Sequence, residues 1–141
     1  MKQREAIKRI FAGMRADLDD YRSLRELLEA QFEAALQHRT EALTEIGERI
    51  IAVTSILEQR RKERQQLVAS VLPQGTPLSM AAVADRLQGA SRAAFESCWK
   101  ALESAIRECK TLNMRNCRLL MDQYEIMQRV LNVQSDTYAP A

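Results

Sequence analysis

The first 72 residues contain no proline, and their apolar side chains recur at steps of three and four residues. This spacing places the side chains on one face of an α-helix. Two such stripes occur, and the phase between them shifts near His38. The first comprises Ile7, Phe11, Met14, Leu18, Tyr21, Leu28, Phe32 and Ala35, and the second Leu43, Ile46, Ile50, Val53, Leu57, Leu67 and Val71. The pattern predicts two long helices over about 2–37 and 41–71, joined by a tight turn or by a bend.

Proline and glycine then interrupt the helical pattern at Pro73-Gln74-Gly75-Thr76-Pro77. A helix cannot cross this segment, because proline lacks an N–H group and clashes with the preceding turn. Ser79 follows as a candidate N-cap and predicts a short helix over about 80–88. A third apolar stripe predicts a last long helix over about 91–133. The tail, 134–141, is expected to be flexible.

Composition favours a helical chain. The 141 residues include 4 glycines, 3 prolines and 5% aromatic residues, fewer turn and aromatic residues than a sandwich or barrel of strands requires. The hydrophobic fraction of 46% is too high for a disordered chain. We therefore predict an all-α fold with one domain over 1–133. Its architecture is an elongated antiparallel bundle of three long helices and one short helix, with coiled-coil-like packing.

The balance of charges excludes several classes of function. Twenty-one basic and 19 acidic residues leave a net charge of +2, which lacks the strong positive field of a general nucleic-acid binder. No apolar run approaches the roughly 18 residues of a membrane span. The N-terminus also lacks the apolar segment of a signal peptide. We therefore expect a cytoplasmic protein with no nucleic-acid partner and no membrane insertion.

Few residues could support catalysis or bind a metal ion. The single histidine, His38, is expected at a solvated helix end. Cys98 and Cys109 lie about 16 Å apart along one helix, with Cys117 about 12 Å further on, so the three thiols cannot bind one ion. All three are expected to be free thiols, buried as small apolar side chains. We predict no enzymatic activity, no metal site and no cofactor.

One dense basic run, Arg60-Arg61-Lys62-Glu63-Arg64, lies in the second helix. It contains no aromatic residue that would stack on a base. The expected role of the run is a solvated helix face, and docking of an acidic partner is the alternative.

The last helix carries more apolar surface than one contact seam needs. Beside its main stripe runs a second row of Trp99, Ile106, Leu120, Tyr124, Met127 and Leu131. An apolar stripe of about 100° is enough to contact one neighbouring helix. Two neighbouring helices could bury both rows, or the surplus could bind a partner's amphipathic segment. Asn116 interrupts the main stripe, where its amide could set the register between helices or bind a peptide backbone.

The C-terminal part of the chain resembles the pattern of the FlgN-type flagellar export chaperones. The shared features are the pair Leu112-Asn113, a second amide at Asn116, the pair Leu119-Leu120, a long amphipathic stretch, and a tail tyrosine at Tyr138. The N-terminal half is similar in outline, with a second long helix that contains the arginine-rich turn.

The resemblance implies a non-enzymatic chaperone for type III flagellar export. Such a chaperone binds the C-terminal amphipathic segments of hook-associated (hook-filament junction) proteins, FlgK-like and FlgL-like, and prevents their premature assembly. It delivers them to a FlhA-like export gate, and the resemblance implies that Tyr138 contacts this gate. The expected client-binding residues are Leu112, Asn113, Asn116, Leu119, Leu120, Tyr124, Met127 and Leu131. The alternative function is a coiled-coil scaffold or stalk-type component of a secretion machine.

Overall fold

The computed structural model describes residues 2–138, with side chains over 2–132. It contains α1 (Gln3–Leu36), α2 (Thr40–Val71), α3 (Met80–Ala84) and α4 (Gly89–Tyr138). Helix accounts for 88% of the described residues, and no strand occurs among them. The predicted all-α bundle of three long helices and one short helix is confirmed.

The central element is α1, which packs against α2 on one side and α4 on another. A tight turn makes α2 antiparallel to α1. Because α2 returns the chain to the end where α1 begins, α4 starts there and runs parallel to α1. Phe11 of α1 accordingly contacts Phe95 near the start of α4, and Ala35 meets Gln123 much further along. We call the end that contains the α1 N-terminus the proximal end, and the end with the α1–α2 turn the distal end.

The main hydrophobic core fills the proximal end. All four helices contribute to it, and α3 covers it at this end of the bundle. Its buried residues are Ala6, Ile10, Met14, Val68, Val71, Leu72, Met80, Val83, Ala84, Phe95 and Leu102. A smaller cluster lies nearer the distal end and consists of Leu24, Leu28, Leu57 and Cys109.

The α1–α2 connection is a tight turn, one of the two predicted alternatives. His38 adopts a positive φ of 54°. The N–H groups of His38 and Arg39 donate to the carbonyl oxygens of Ala35 and Ala34. These two bonds form the Schellman arrangement that ends many helices, and they reverse the chain within three residues.

The short helix begins where the sequence predicts and ends earlier. The hydroxyl of Ser79 accepts a hydrogen bond from the Ala82 N–H group at 3.1 Å, as expected of an N-cap. The helix ends at Ala84 rather than near residue 88. The reason is that the next N–H groups, those of Arg86 and Leu87, bond to carbonyls three residues back and tighten the turn.

The last helix is longer than predicted at both ends. It begins at Gly89, where a φ of 61° suits a residue without a Cβ atom. It continues to Tyr138 rather than ending at Val133, since neither glycine nor proline interrupts 134–138. Residues 139–141 of the predicted tail lie outside the described residues.

Candidate functional site

The buried stripe of α4 continues past the end of α1. Within the bundle, α4 buries Leu102, Cys109 and Asn116 at intervals of seven residues. Seven residues later, the Gln123 side-chain amide donates to the Ala35 carbonyl oxygen at 2.9 Å, one residue before α1 ends. The remaining residues of α4, 124–138, extend roughly 22 Å at 1.5 Å per residue. We call this segment the α4 overhang.

Large apolar side chains of the α4 overhang are open to solvent. The exposed fractions are 64% for Tyr124, 61% for Met127 and 50% for Leu131. Met127 follows the buried Asn116 by eleven residues, close to three full turns, so both lie on the same face of α4. Met127 is therefore exposed because α1 has ended, and not because it lies on the outer face. The other exposed large apolar side chains on the described part of the overhang are Ile126 and Val130.

The remaining predicted apolar site residues lie within the bundle. Leu119 and Leu120 are half-buried just before the overhang, and Leu112 is half-buried against the cluster near the distal end. Asn113 is exposed. The exposed residues Met114 and Met121, on the outer face of α4, were not among the predicted site residues. Exposed apolar surface thus begins within the bundle and continues along the overhang as far as Leu131.

Asn116 is only 1% exposed and joins α4 to α1. Its Nδ2 group donates to the Leu28 carbonyl oxygen at 2.7 Å and to Oε1 of Gln31 at 2.8 Å. Its Oδ1 atom accepts two hydrogen bonds from the Arg115 guanidinium. The amide is therefore fully bonded within the protein. Of the two roles that the sequence left open for it, the observed contacts are those of a link between two helices.

Arg115 extends this link to the surface. Its guanidinium carbon lies 3.8 Å from the centroid of the Phe32 ring, and its Nη1 atom lies 3.3 Å from a carboxylate oxygen of Glu29. Arginine stacks well on aromatic rings, because its cation is planar and weakly hydrated. The contacts of Arg115 and Asn116 fix the register of α4 against α1 just before the overhang begins.

The proposed export-gate residue, Tyr138, is the last residue of α4. Its side chain lies outside the described residues, so its contact with an export gate stays a prediction.

The basic run of α2 contributes to an ion cluster that the sequence analysis missed. Asp17 of α1 is 1% exposed and accepts hydrogen bonds from Arg60 at 2.7 Å and Arg64 at 2.6 Å. Asp20 accepts another from Arg60 at 2.7 Å. The expected solvated face is therefore wrong for Arg60 and Arg64, although the three residues between them are exposed. Both arginines lie in the apolar stripe of α2, which is why they face α1.

The ion cluster links three helices. Burial by itself lowers the pKa of Arg60, but its hydrogen bonds to Asp17 and Asp20 and their negative charges outweigh this effect and leave the pKa raised. The guanidinium of Arg64 also lies 6.0 Å from the ring centroid of Trp99 on α4. A signal for the cluster was present in the sequence. Two arginines four residues apart interrupt one apolar stripe, while acidic residues border the other.

The three thiols differ in their surroundings. Cys109 is buried and Cys98 half-buried, and burial raises the pKa of both. Cys117 is exposed on the solvent side of α4, beside Asn113 one turn earlier, so the expectation that all three thiols are buried was wrong. Among the described residues, no group of three or more histidine, cysteine, aspartate or glutamate side chains is placed to hold a metal ion. None of the described helices is both long and apolar enough to cross a bilayer.

Comparison with known families identifies a relationship over nearly the whole chain. A family model described as FlgN protein matches residues 1–137. This range includes α1, α2, α3 and all but the last residue of α4. No curated protein and no solved structure matches the chain.

Proposed function

Because the chain belongs to the FlgN family, a family of flagellar export chaperones for hook-associated proteins, we propose that α4 binds the C-terminal amphipathic segments of such proteins. The clients are FlgK-like and FlgL-like. The chaperone keeps them unassembled in the cytoplasm and delivers them to a FlhA-like export gate. The client-binding surface consists of Tyr124, Met127 and Leu131 on the α4 overhang together with Leu112, Asn113, Leu119 and Leu120, and the buried Asn116 supports this surface through α1.

The observation that carries the proposal is the exposed stripe of the α4 overhang. In the earlier turns of α4, before the overhang, the same stripe is covered by α1. An amphipathic helix of a client can cover the overhang in the same way, with its apolar side chains at helical spacing against Met127 and Leu131. Met127 is a flexible side chain that adapts to clients of different shape. Asn116 acts in this account through α1, because its contacts hold α4 in register.

The affinity of such a surface is limited by the cost of ordering the client. Covering apolar surface gains roughly 25 cal/mol for each Å² removed from water. A disordered C-terminal segment loses conformational entropy when it becomes helical, and this loss offsets part of the gain. Moderate affinity suits a chaperone, because the client has to be released at the export gate.

The surface is tested by calorimetric titration of the full chain with a synthetic C-terminal peptide of a hook-associated protein. We expect Met127→Glu and Leu131→Glu each to weaken binding by about tenfold or more, because a carboxylate would be buried against the client. Ile51→Glu is the matched control, since Ile51 is 66% exposed on another helix. Binding that survives both overhang substitutions would reject this client surface.

Export-gate docking is tested separately at Tyr138. Tyr138→Ala should leave client binding intact and reduce export of hook-associated proteins. Loss of client binding in the same variant would show that the two roles are wrongly divided.

A coiled-coil scaffold is the second candidate, because a second copy of the chain could cover the same exposed stripe. Light scattering distinguishes the two functions. A stable dimer that persists on dilution and is disrupted by Met127→Glu would favour the scaffold, and a monomer that binds client peptide would favour the chaperone.

A further inference from the structure

An apolar groove, separate from the α4 overhang, lies at the proximal end of the molecule, roughly 50 Å from the distal turn. Its walls are the first turns of α1 and the chain that enters α4. We call it the proximal groove. Its apolar floor consists of Ile7, Phe11 and Leu87, and its rim carries Arg4, Lys8 and Arg86.

The floor of the proximal groove is held in place from below. Ile7, Phe11 and Leu87 are all half-buried and pack against the main core with their inner sides. The ring of Phe11 lies 6.2 Å from the ring of the fully buried Phe95, at an angle of 59°. A floor fixed in this way loses little conformational freedom when a ligand covers it.

The rim is positively charged and uncompensated. Arg4, Lys8 and Arg86 are exposed, and none of them forms an ion pair with a residue that the structure describes. Arg92 differs, since it pairs with Asp85 at 2.9 Å and with Glu96 at 2.8 Å. Two of the five basic side chains in residues 1–15 belong to this rim, and the same range contains one acidic side chain. The groove therefore presents a concentrated positive field around an apolar floor.

The dimensions of the groove match a short helix. Arg4 and Phe11 are seven residues apart, about 10 Å or two helical turns. We propose that the proximal groove docks a short amphipathic helix of a partner protein, with apolar anchors at helical spacing and aspartate or glutamate at its edges. The anchors cover the floor, and the carboxylates pair with the three cations of the rim. An anionic membrane would also suit the charge, but a flat surface cannot reach a concave floor.

The proximal groove is separate from the proposed client surface. The proximal groove and the α4 overhang lie at opposite ends of the bundle, so a partner in the groove leaves the overhang open. One molecule can therefore hold two different partners at the same time.

The test uses two labelled synthetic helical peptides of about 14 residues. Both carry leucine anchors at the same positions, and the positions beside the anchors are glutamate in one peptide and lysine in the other. Fluorescence anisotropy measures their binding to the full chain. We expect the glutamate peptide to bind, and its affinity to fall about tenfold in Arg4→Glu/Lys8→Glu and in Arg86→Glu, because each variant puts a like charge beside the peptide. The matched control, Lys100→Glu/Lys110→Glu, reverses two exposed cations elsewhere on α4 and should change affinity less than about twofold.

Three results would overturn the proposal. The first is equal binding of the two peptides, since it would show only apolar adhesion. The second is a glutamate peptide whose binding is unchanged in both groove variants, or is lost in Met127→Glu, which would place it on the α4 overhang. The third is binding to vesicles of anionic lipid that both groove variants abolish, with no binding of the glutamate peptide. Circular dichroism of each variant confirms that the helices are retained.

Discussion

The two ends of the bundle are built from the same three long helices and differ in how these helices end. At the proximal end, α3 and the chain around it close the core, and Phe95 and Val83 have no exposed surface. At the distal end, α1 and α2 stop together at their shared turn, while α4 continues for about four more helical turns. An exposed apolar surface can therefore result from unequal helix lengths without any change in the apolar pattern.

Between the two ends, polar contacts join the long helices to one another. The ion cluster around Asp17 joins α1 to α2, and Asn116 joins α1 to α4 nearer the distal end. Each of these contacts fits only one alignment of the two helices, since a shift of one helix by one residue would leave a buried charge or amide unpaired. Register between the helices decides where α1 ends along α4, and so how much of α4 is left uncovered.

The largest expected difference between the ends is in the cost of removing an apolar side chain. Phe95→Ala should lower the free energy of unfolding by about 3–5 kcal/mol, because it leaves a cavity in the main core. Met127→Ala, in the α4 overhang, should change it by less than about 0.5 kcal/mol. Urea denaturation of both variants measures the contrast. Similar losses for the two substitutions would mean that the overhang is covered within the molecule.

A smaller loss of stability is expected at the ion cluster around Asp17, which lies between the two ends. Asp17→Ala should lower the free energy of unfolding by about 3 kcal/mol, since it leaves two partly buried arginines short of a carboxylate. Glu58→Ala removes the exposed partner of Arg61 and should leave stability nearly unchanged. Thermal denaturation of the two variants compares them. A harmless Asp17→Ala would contradict a structural role for the cluster.

The two asparagines of α4 provide a still smaller contrast. Asn116→Ala should lower the free energy of unfolding by about 1–3 kcal/mol, because it removes the buried hydrogen bonds of the amide to Leu28, Gln31 and Arg115. Asn113→Ala should cost less than about 0.5 kcal/mol, since Asn113 is exposed. Chemical denaturation measures both. If Asn116→Ala abolished client binding with no loss of stability, the amide would contact the client rather than hold the helices.

The smallest expected effect lies in α2, towards the distal end. Gly47→Ala should raise the free energy of unfolding by about 0.5–1 kcal/mol, because glycine weakens a helix interior and the added Cβ atom meets nothing within 4 Å. Gly75→Ala should be destabilising, since its φ of 88° disfavours a side chain. Melting temperatures of the two variants test the opposite signs. A loss of stability in Gly47→Ala would show that this part of α2 is more closely covered than the structure indicates.

The fold was predictable from the sequence because each long helix carries a continuous apolar stripe at helical spacing. The helix ends were harder to predict. The end of α3 depends on a tightening turn, and the end of α4 on the absence of any interrupting residue. Periodicity also could not say which stripe lacks a partner. Met127 lies on the same face of α4 as the buried Asn116. It is exposed and Asn116 is covered only because α1 ends at Leu36, between the levels of these two residues.

The polar part of the site was predictable only in outline. The charges at Arg60 and Arg64 suggested a solvated face, because a single sequence does not show which residues of α1 lie opposite them. Once α1 and α2 are aligned, Asp17 and Asp20 supply the compensating charges. Asn116 was recognised as an interruption of the stripe, but its bonds to Leu28 and Gln31 depend on the parallel alignment of α1 and α4.

The chaperone function requires that the α4 overhang is uncovered in the free protein and becomes covered by a client. Hydrogen–deuterium exchange over 124–132, measured with and without a C-terminal peptide of a hook-associated protein, tests this requirement. We expect fast exchange in the free protein, because a helix without a packing partner opens easily. With the peptide, exchange of 124–132 should slow markedly, while exchange around Phe95 stays slow in both states. Slow exchange of 124–132 in the free monomer, or no change when the peptide binds, would show that the overhang does not receive the client.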